Sequence, residues 1–181
     1  MELLNVDTIE IEVGYRLVQL LNVEMGGDLL ERIAQIRRQT ALDFGIVLTS
    51  ISVRDNLQLS PNSYQIKLKG VALESGDVYP ERYLAMCAGD PVGNLTINGI
   101  HAIEPAFGLP ALWIEGKDKD LAEMSGYTVV SASAVISTHI TEVIKKCAHE
   151  IISRFDVQQL VDNLKKEVSE EYVNDIMKDI S

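Results

Sequence analysis

Pro105 and Pro110 flank Phe107 in the run Glu104-Pro-Ala-Phe-Gly-Leu-Pro-Ala-Leu-Trp-Ile114. Proline fixes φ and has no amide hydrogen, so neither residue fits inside a regular helix or at an ordinary position of a central strand. Phe107 therefore sits in a stiff, turned segment. Holding an aromatic there costs little entropy, which makes it either a plug for a core or an anchor for a partner.

The chain before this segment alternates between two periods. Ile9, Ile11 and Val13 alternate with Glu10 and Glu12 as far as Gly14, which predicts a half-buried strand. Asp28, with Glu31 three residues on, forms an N-cap pattern. Leu29, Ile33, Ile36, Thr40 and Phe44 then recur at helical steps, and Gly45 supplies a stop. Arg32, Arg37 and Arg38 lie off that stripe, on a solvated face. Residues 46–48 and 51–54 read as extended, and Tyr64, Ile66 and Leu68 alternate with polar residues. Ser60-Pro61-Asn62-Ser63 between them is turn chemistry, so a hairpin-like pairing is expected across it. A helix among strands with mixed connections predicts an α+β fold rather than a doubly wound one.

From about Tyr83 to Val130 short apolar runs are broken by Gly89, Asp90-Pro91, Gly93-Asn94, Asn98-Gly99, Gly108, Gly116 and Gly126, the texture of a compact insert whose last strand covers 127–130. Ser131 and Ser133 can cap a long helix running to about Ser153. Its stripe is Ile136, Ile140, Val143, Ile144, Cys147, Ala148 and Ile151. At 100° per residue Thr138 lies opposite the centre of that stripe and faces away from the core. Asp156 reads as the cap of a further helix bearing Val157, Leu160, Val161 and Leu164, and 168–180 repeats the pattern without a closing strand, an incomplete last unit.

Composition bears on partners. A net charge of −11 argues against nucleic acid and anionic membranes, which need basic patches. No apolar window is long enough for a membrane span, and the first eight residues lack the pattern of a signal peptide. Cys87 and Cys147 have no metal-ligand or disulfide-framework spacing. His101 with Glu104 lacks a second histidine at a metalloprotease interval, and His139 and His149 are too far apart to form one site on a helix. Gly26-Gly27 and Gly89-Asp-Pro-Val-Gly93 lack a phosphate-loop lysine or a dinucleotide fingerprint. Neither an enzyme nor a cofactor is expected; an unrecognised hydrolase is disfavoured, and the residues point to a binding or assembly module.

Several blocks, in order, resemble one family. They are Glu12-Val-Gly-Tyr-Arg-Leu17, Ile36-Arg-Arg-Gln39, Ile51-Ser-Val-Arg-Asp-Asn56 and Tyr64-Gln-Ile-Lys-Leu-Lys-Gly70, followed by Pro105-Ala-Phe-Gly-Leu-Pro-Ala111, Gly126-Tyr-Thr-Val-Val130, Thr138-His-Ile-Thr-Glu-Val-Ile144 and Val157-Gln-Gln-Leu160. The chain resembles the FlhA-type flagellar export-gate proteins over roughly residues 6 to 170; their relatives, of the InvA/LcrD kind, serve virulence type III secretion.

The resemblance implies the first part of the family's cytoplasmic region, at the cytoplasmic face of the bacterial inner membrane, with any membrane attachment through a preceding region. It implies a two-lobed mixed α/β first subdomain at 9–82 and 132–151, a small inserted α+β subdomain at 83–131, and the helical start of a third, truncated subdomain at 152–181. It also implies docking of flagellar export chaperones carrying filament-type substrates in a dimple between the first two subdomains. The family's aspartate, phenylalanine and threonine of that dimple match Glu104, Phe107 and Thr138, with glutamate in place of the usual aspartate. Glu104 is expected as a polar partner beside the Phe107 anchor; Pro105, Val130 and Val135 are expected wall residues. Contacts to other export-apparatus components and self-association into a ring are also implied, the ring through Arg32, Arg37, Arg38 and acidic faces. The alternatives are a chiefly ring-forming structural element or the equivalent gate protein of a virulence system.

Overall fold

The computed structural model describes residues 4–6, 9–48, 51–87 and 97–180, so the turn signals between Gly89 and Asn94 lie outside the described residues. The fold is α+β, and the chain divides into two compact units, 1–144 and 145–181.

In the first unit β1 (Leu4–Val6) pairs in parallel with β3 (Ile46–Leu48). A four-stranded sheet then forms from β2 (Ile9–Val13), β4 (Ile51–Asp55), β5 (Ser63–Leu68) and β6 (Val71–Asp77). Its order is β4-β2-β5-β6. Ile9, Ile11, Val13, Tyr64 and Ile66 are inside as the alternation predicts, but Glu12, expected on the open face of β2, is buried as well. The expected hairpin across Ser60–Ser63 does not form. β2 lies between β4 and β5, parallel to the first and antiparallel to the second. The turn docks on the end of β2 instead, where Gly14 N–H donates to the Ser63 carbonyl at 2.8 Å and Arg16 N–H to the Pro61 carbonyl at 3.1 Å. The hairpin that does form joins β5 to β6 through Lys69 and Gly70, both at positive φ, as a tight two-residue turn requires.

Two 3₁₀ segments, Tyr15–Leu21 and Val23–Met25, lead to α1 (Leu29–Phe44), which ends at Gly45 in the left-handed conformation. Leu29, Ile33, Ile36 and Thr40 are buried as the stripe predicts. Asp28 stands at the N-cap, but its side chain makes no capping bond. Its carboxylate accepts from the Arg32 guanidinium at 2.8 Å and from the Ser133 hydroxyl, so it ties α1 to a distant segment rather than closing its own helix.

A second antiparallel sheet is built from β7 (Arg82–Met86), β8 (Gly99–Ile103), β9 (Pro110–Glu115) and β10 (Thr128–Ser131), in the order β10-β7-β9-β8. β9 is central although it begins with proline. Pro110 opposes Ile103, and the adjacent pair is bonded, Glu104 N–H donating to the Leu109 carbonyl at 2.8 Å. Antiparallel pairs alternate between bonded and unbonded, so Pro110 occupies an unbonded position toward β8 and costs that ladder nothing. Beyond it, Leu112 and Ile114 pack with Ala85, Ile97, Tyr127 and Ala122 of the short helix α2 (Lys119–Met124). Trp113 is buried and meets Tyr79 edge-on, ring centroids 5.6 Å apart. Burying a side chain of this size stabilises a core by roughly 3 kcal/mol.

β10 runs directly into α3 (Ala132–Ile180), where the Ser131 hydroxyl accepts the Ala134 N–H at 3.3 Å, the expected cap. Ile136, Ile140, Val143 and Ile144 are buried, as is Val135. The helix break expected between Ser153 and Asp156 is absent, because from 132 to 180 the sequence contains neither glycine nor proline and nothing interrupts the backbone ladder. In the second unit Leu160, Val161 and Leu164, the face expected to be apolar, are exposed. Among the described residues no helix is long and apolar enough to cross a membrane.

Candidate docking site

β8 and β9 form a hairpin whose connection, 104–109, carries Phe107 at its tip. The turn satisfies its own donors. Glu104 is only 2% exposed, and its carboxylate accepts the Ala106 N–H at 2.9 Å on one oxygen and the Phe107 N–H at 2.7 Å on the other. The Glu104 carbonyl accepts the Gly108 N–H at 2.8 Å. Gly108 has φ +72°, a conformation a β-carbon would strain, and this lets the chain turn back into β9. Hydrogen bonds to a carboxylate are stronger than those between neutral groups, so the loop backbone is firmly held.

The Phe107 side chain is outside that frame. It is 60% exposed, and Ile103, at the end of β8, is 65% exposed. The two aromatics of the proline-bounded run thus divide the two roles open to them: Trp113 plugs a core and Phe107 stands in solvent. Thr138 is exposed on α3, on the side away from the buried stripe. Pro105 and Val130 are half-buried. Two sequence expectations change here. Glu104, expected to face a partner, is turned onto its own loop, because two amides within three residues satisfy both its oxygens. Val135, expected as a wall residue, is 2% exposed and belongs to the interior, one helical step from the Ile136 stripe.

Patterning missed a polar chain that joins two buried residues to a half-buried carboxylate. Tyr64, fully buried in β5, donates its hydroxyl hydrogen to His139 Nδ1 at 2.6 Å, and His139 Nε2 donates to Glu74 Oε1 at 3.0 Å. A carboxylate can only accept, so the hydrogen of the neutral imidazole belongs on Nε2. Burial foremost, and then the charges of Glu104, Asp77 and Glu74, push Tyr64 far above the ordinary tyrosine range, so it remains a neutral donor. His139 is the residue next to Thr138. The signal was available: His139 falls between Ile136 and Val143 at helical spacing, a polar residue within an apolar stripe.

Chemistry is otherwise sparse. His101 and His149 are exposed, Cys87 and Cys147 are in no disulfide, and among the described residues no group of three or more His, Cys, Asp or Glu is placed to hold a metal.

A family model described as the FHIPEP family matches residues 1–181. The flagellar biosynthesis protein FlhA of Bacillus subtilis (strain 168) is 50% identical over 165 residues, which are 91% of this chain and 24% of that protein. The chain thus spans about a quarter of that relative's length. Among solved structures, the Chlamydia pneumoniae CdsV and CdsO complex matches with a TM-score of 0.64 at 22% identity, covering 87% of this chain and 49% of the matched chain. Nonameric EPEC SctV-C matches with a TM-score of 0.52 at 12% identity, covering 92% and 48%.

Proposed function

The chain belongs to the FHIPEP family, and from that membership we propose that it is part of the cytoplasmic docking platform of a flagellar type III protein-export gate. Its role is binding, not catalysis: it receives export chaperones with bound filament-type substrates at the cytoplasmic face of the inner membrane. Residues 9–82 with 132–151 form the first subdomain, 83–131 the insert that carries Phe107, and 152–181 the start of a third. The flagellar over the virulence assignment rests on the 50% identity to a flagellar relative against 22% for the CdsV match.

One observation carries the site: Phe107 stands 60% exposed on a loop whose amides are fixed by a buried carboxylate. An aromatic carried on an already fixed backbone leaves only its side-chain rotamers to be ordered on binding, which suits an interface anchor. Phe107 is therefore the anchor, Glu104 its support, and Thr138 the second exposed contact, with Pro105 and Val130 at the margin. Phe107→Ala should weaken binding of a flagellar chaperone–substrate complex by about 2 kcal/mol, roughly thirtyfold, with thermal stability unchanged. Calorimetry giving native affinity for the folded variant would remove Phe107 from the site.

Ring formation is a compatible second reading, favoured by the nonameric state named for SctV-C. Contacts through charged faces weaken with salt while an apolar anchor does not. Light scattering against ionic strength separates the two: assembly that survives high salt would exclude a ring held by Arg32, Arg37 and Arg38.

A further inference from the structure

Next to the exposed Thr138 lies His139, which joins a polar chain of two buried residues and a half-buried carboxylate. Tyr64 crosses its strand partner Gly76, with which it is in register on β6. A β-carbon on Gly76 would fall 2.6 Å from the Tyr64 hydroxyl oxygen, so the glycine leaves the slot in which the phenol lies. From that slot the hydroxyl meets His139, 1% exposed, and the imidazole meets Glu74 on the same strand as Gly76. The rings stand edge-on, interplanar angle 80°. Three elements, β5, β6 and α3, are thereby pinned at one point, and every hydrogen of the chain has an acceptor when the imidazole is neutral.

We propose that the chain Tyr64–His139–Glu74 is a positioning device for the docking surface, fixing against β5 and β6 the turn of α3 that presents Thr138. Tyr64 and His139 are then positioning residues for a partner that neither touches. A polar chain with each group satisfied has one geometry, whereas an apolar contact of the same size tolerates sliding. The orientation of α3 about its axis at His139 sets the direction of Thr138, its immediate neighbour.

This inference deepens the docking reading and rests on it, yet it has a readout in the free protein. Glutamine at 139 supplies one acceptor and one donor in the sense of the neutral imidazole, and leucine supplies neither. Amide exchange of Thr138 and Thr141, followed by NMR, should quicken about tenfold in His139→Leu and stay near native in His139→Gln, with the β9 amides of Leu112 and Trp113 unchanged in both. Binding of a flagellar chaperone–substrate complex should fall about tenfold in His139→Leu and be largely restored in His139→Gln. Tyr64→Phe, which keeps the ring, should reproduce the leucine result in both measurements.

Native exchange at Thr138 and Thr141 in both His139→Leu and Tyr64→Phe would overturn the proposal, as would a glutamine variant no better than leucine. Should His139→Leu fail to fold, Tyr64→Phe decides alone. Altered exchange together with no binding of the complex by the native chain would leave positioning supported and remove the docking reading instead.

Discussion

Among the described residues two glutamates are buried, and they are answered in opposite ways. Glu12, on β2, is 7% exposed; its carboxylate accepts from Asn56 Nδ2 at 2.9 Å and from Lys67 Nζ at 3.0 Å, partners 44 and 55 residues along the chain. Glu104 is 2% exposed and is answered entirely by amides two and three residues ahead. The first joins three segments of a sheet. The second closes one loop. A long-range polar contact stabilises the fold because it forms only when distant segments meet, while a local one stabilises the shape of a surface whose fold is set elsewhere.

The sharpest way to break this contrast is substitution at the two positions. Glu12→Ala should lower global stability by about 2 kcal/mol, since two hydrogen bonds to a charged group are lost and Lys67 and Asn56 are left without that acceptor. Chemical denaturation measures it, and the folded variant should bind partners as the native chain does. Glu104→Ala should do the reverse, weakening chaperone–substrate affinity about fivefold through a loosened Phe107 with little change in denaturation midpoint. Equal stability losses in the two variants would erase the distinction. Glu104→Asp should fall between native and alanine, because the shorter side chain keeps the bond to Ala106 as an Asx turn and loses reach to Phe107.

The smallest effect sharpens the Glu12 half of the comparison. The Asn56 amide foremost, and then the Lys67 ammonium, hold the Glu12 carboxyl below its ordinary value of 4.5. A carboxylate depressed in the folded state contributes stability above its unfolded value and loses it as pH falls through the folded one. Denaturation midpoints between neutral pH and pH 3 should thus decline more steeply for the native chain than for Glu12→Gln; identical slopes would show that the contact adds nothing ionic.

Local patterns were legible where one residue type decides the outcome. The alternation of β2 and β5, the stripe of α1 and the exposure of Thr138 all follow from period alone. Pairing was not: the Ser60–Ser63 turn has the same chemistry whether its flanking strands meet each other or a third strand, and here β2 intervenes. The division of α3 failed for a related reason. Asp156 has the composition of a cap, yet a cap begins a helix only where the preceding turn has ended, and nothing before it ends one. Among the candidate site residues, Phe107 and Thr138 are exposed, while Glu104 and Val135 lie inside. A carboxylate in a proline-rich loop reads as solvent-facing until the two amides that face it are known. Valine beside a helical stripe is decided by packing that a sequence does not display.

The self-contained turn at the hairpin tip has a further consequence for recognition. The amides of Glu104, Ala106, Phe107 and Gly108 are all engaged within the loop, and Pro105 has none. A partner arriving at that tip finds none of these donors free, only carbonyl oxygens and the carbon surface of the phenylalanine ring. What it can read there is shape and apolar area, so the contact at the tip should be marked by a negative heat-capacity change, measurable as a binding enthalpy that grows more favourable with temperature in the native chain and less so in Phe107→Ala.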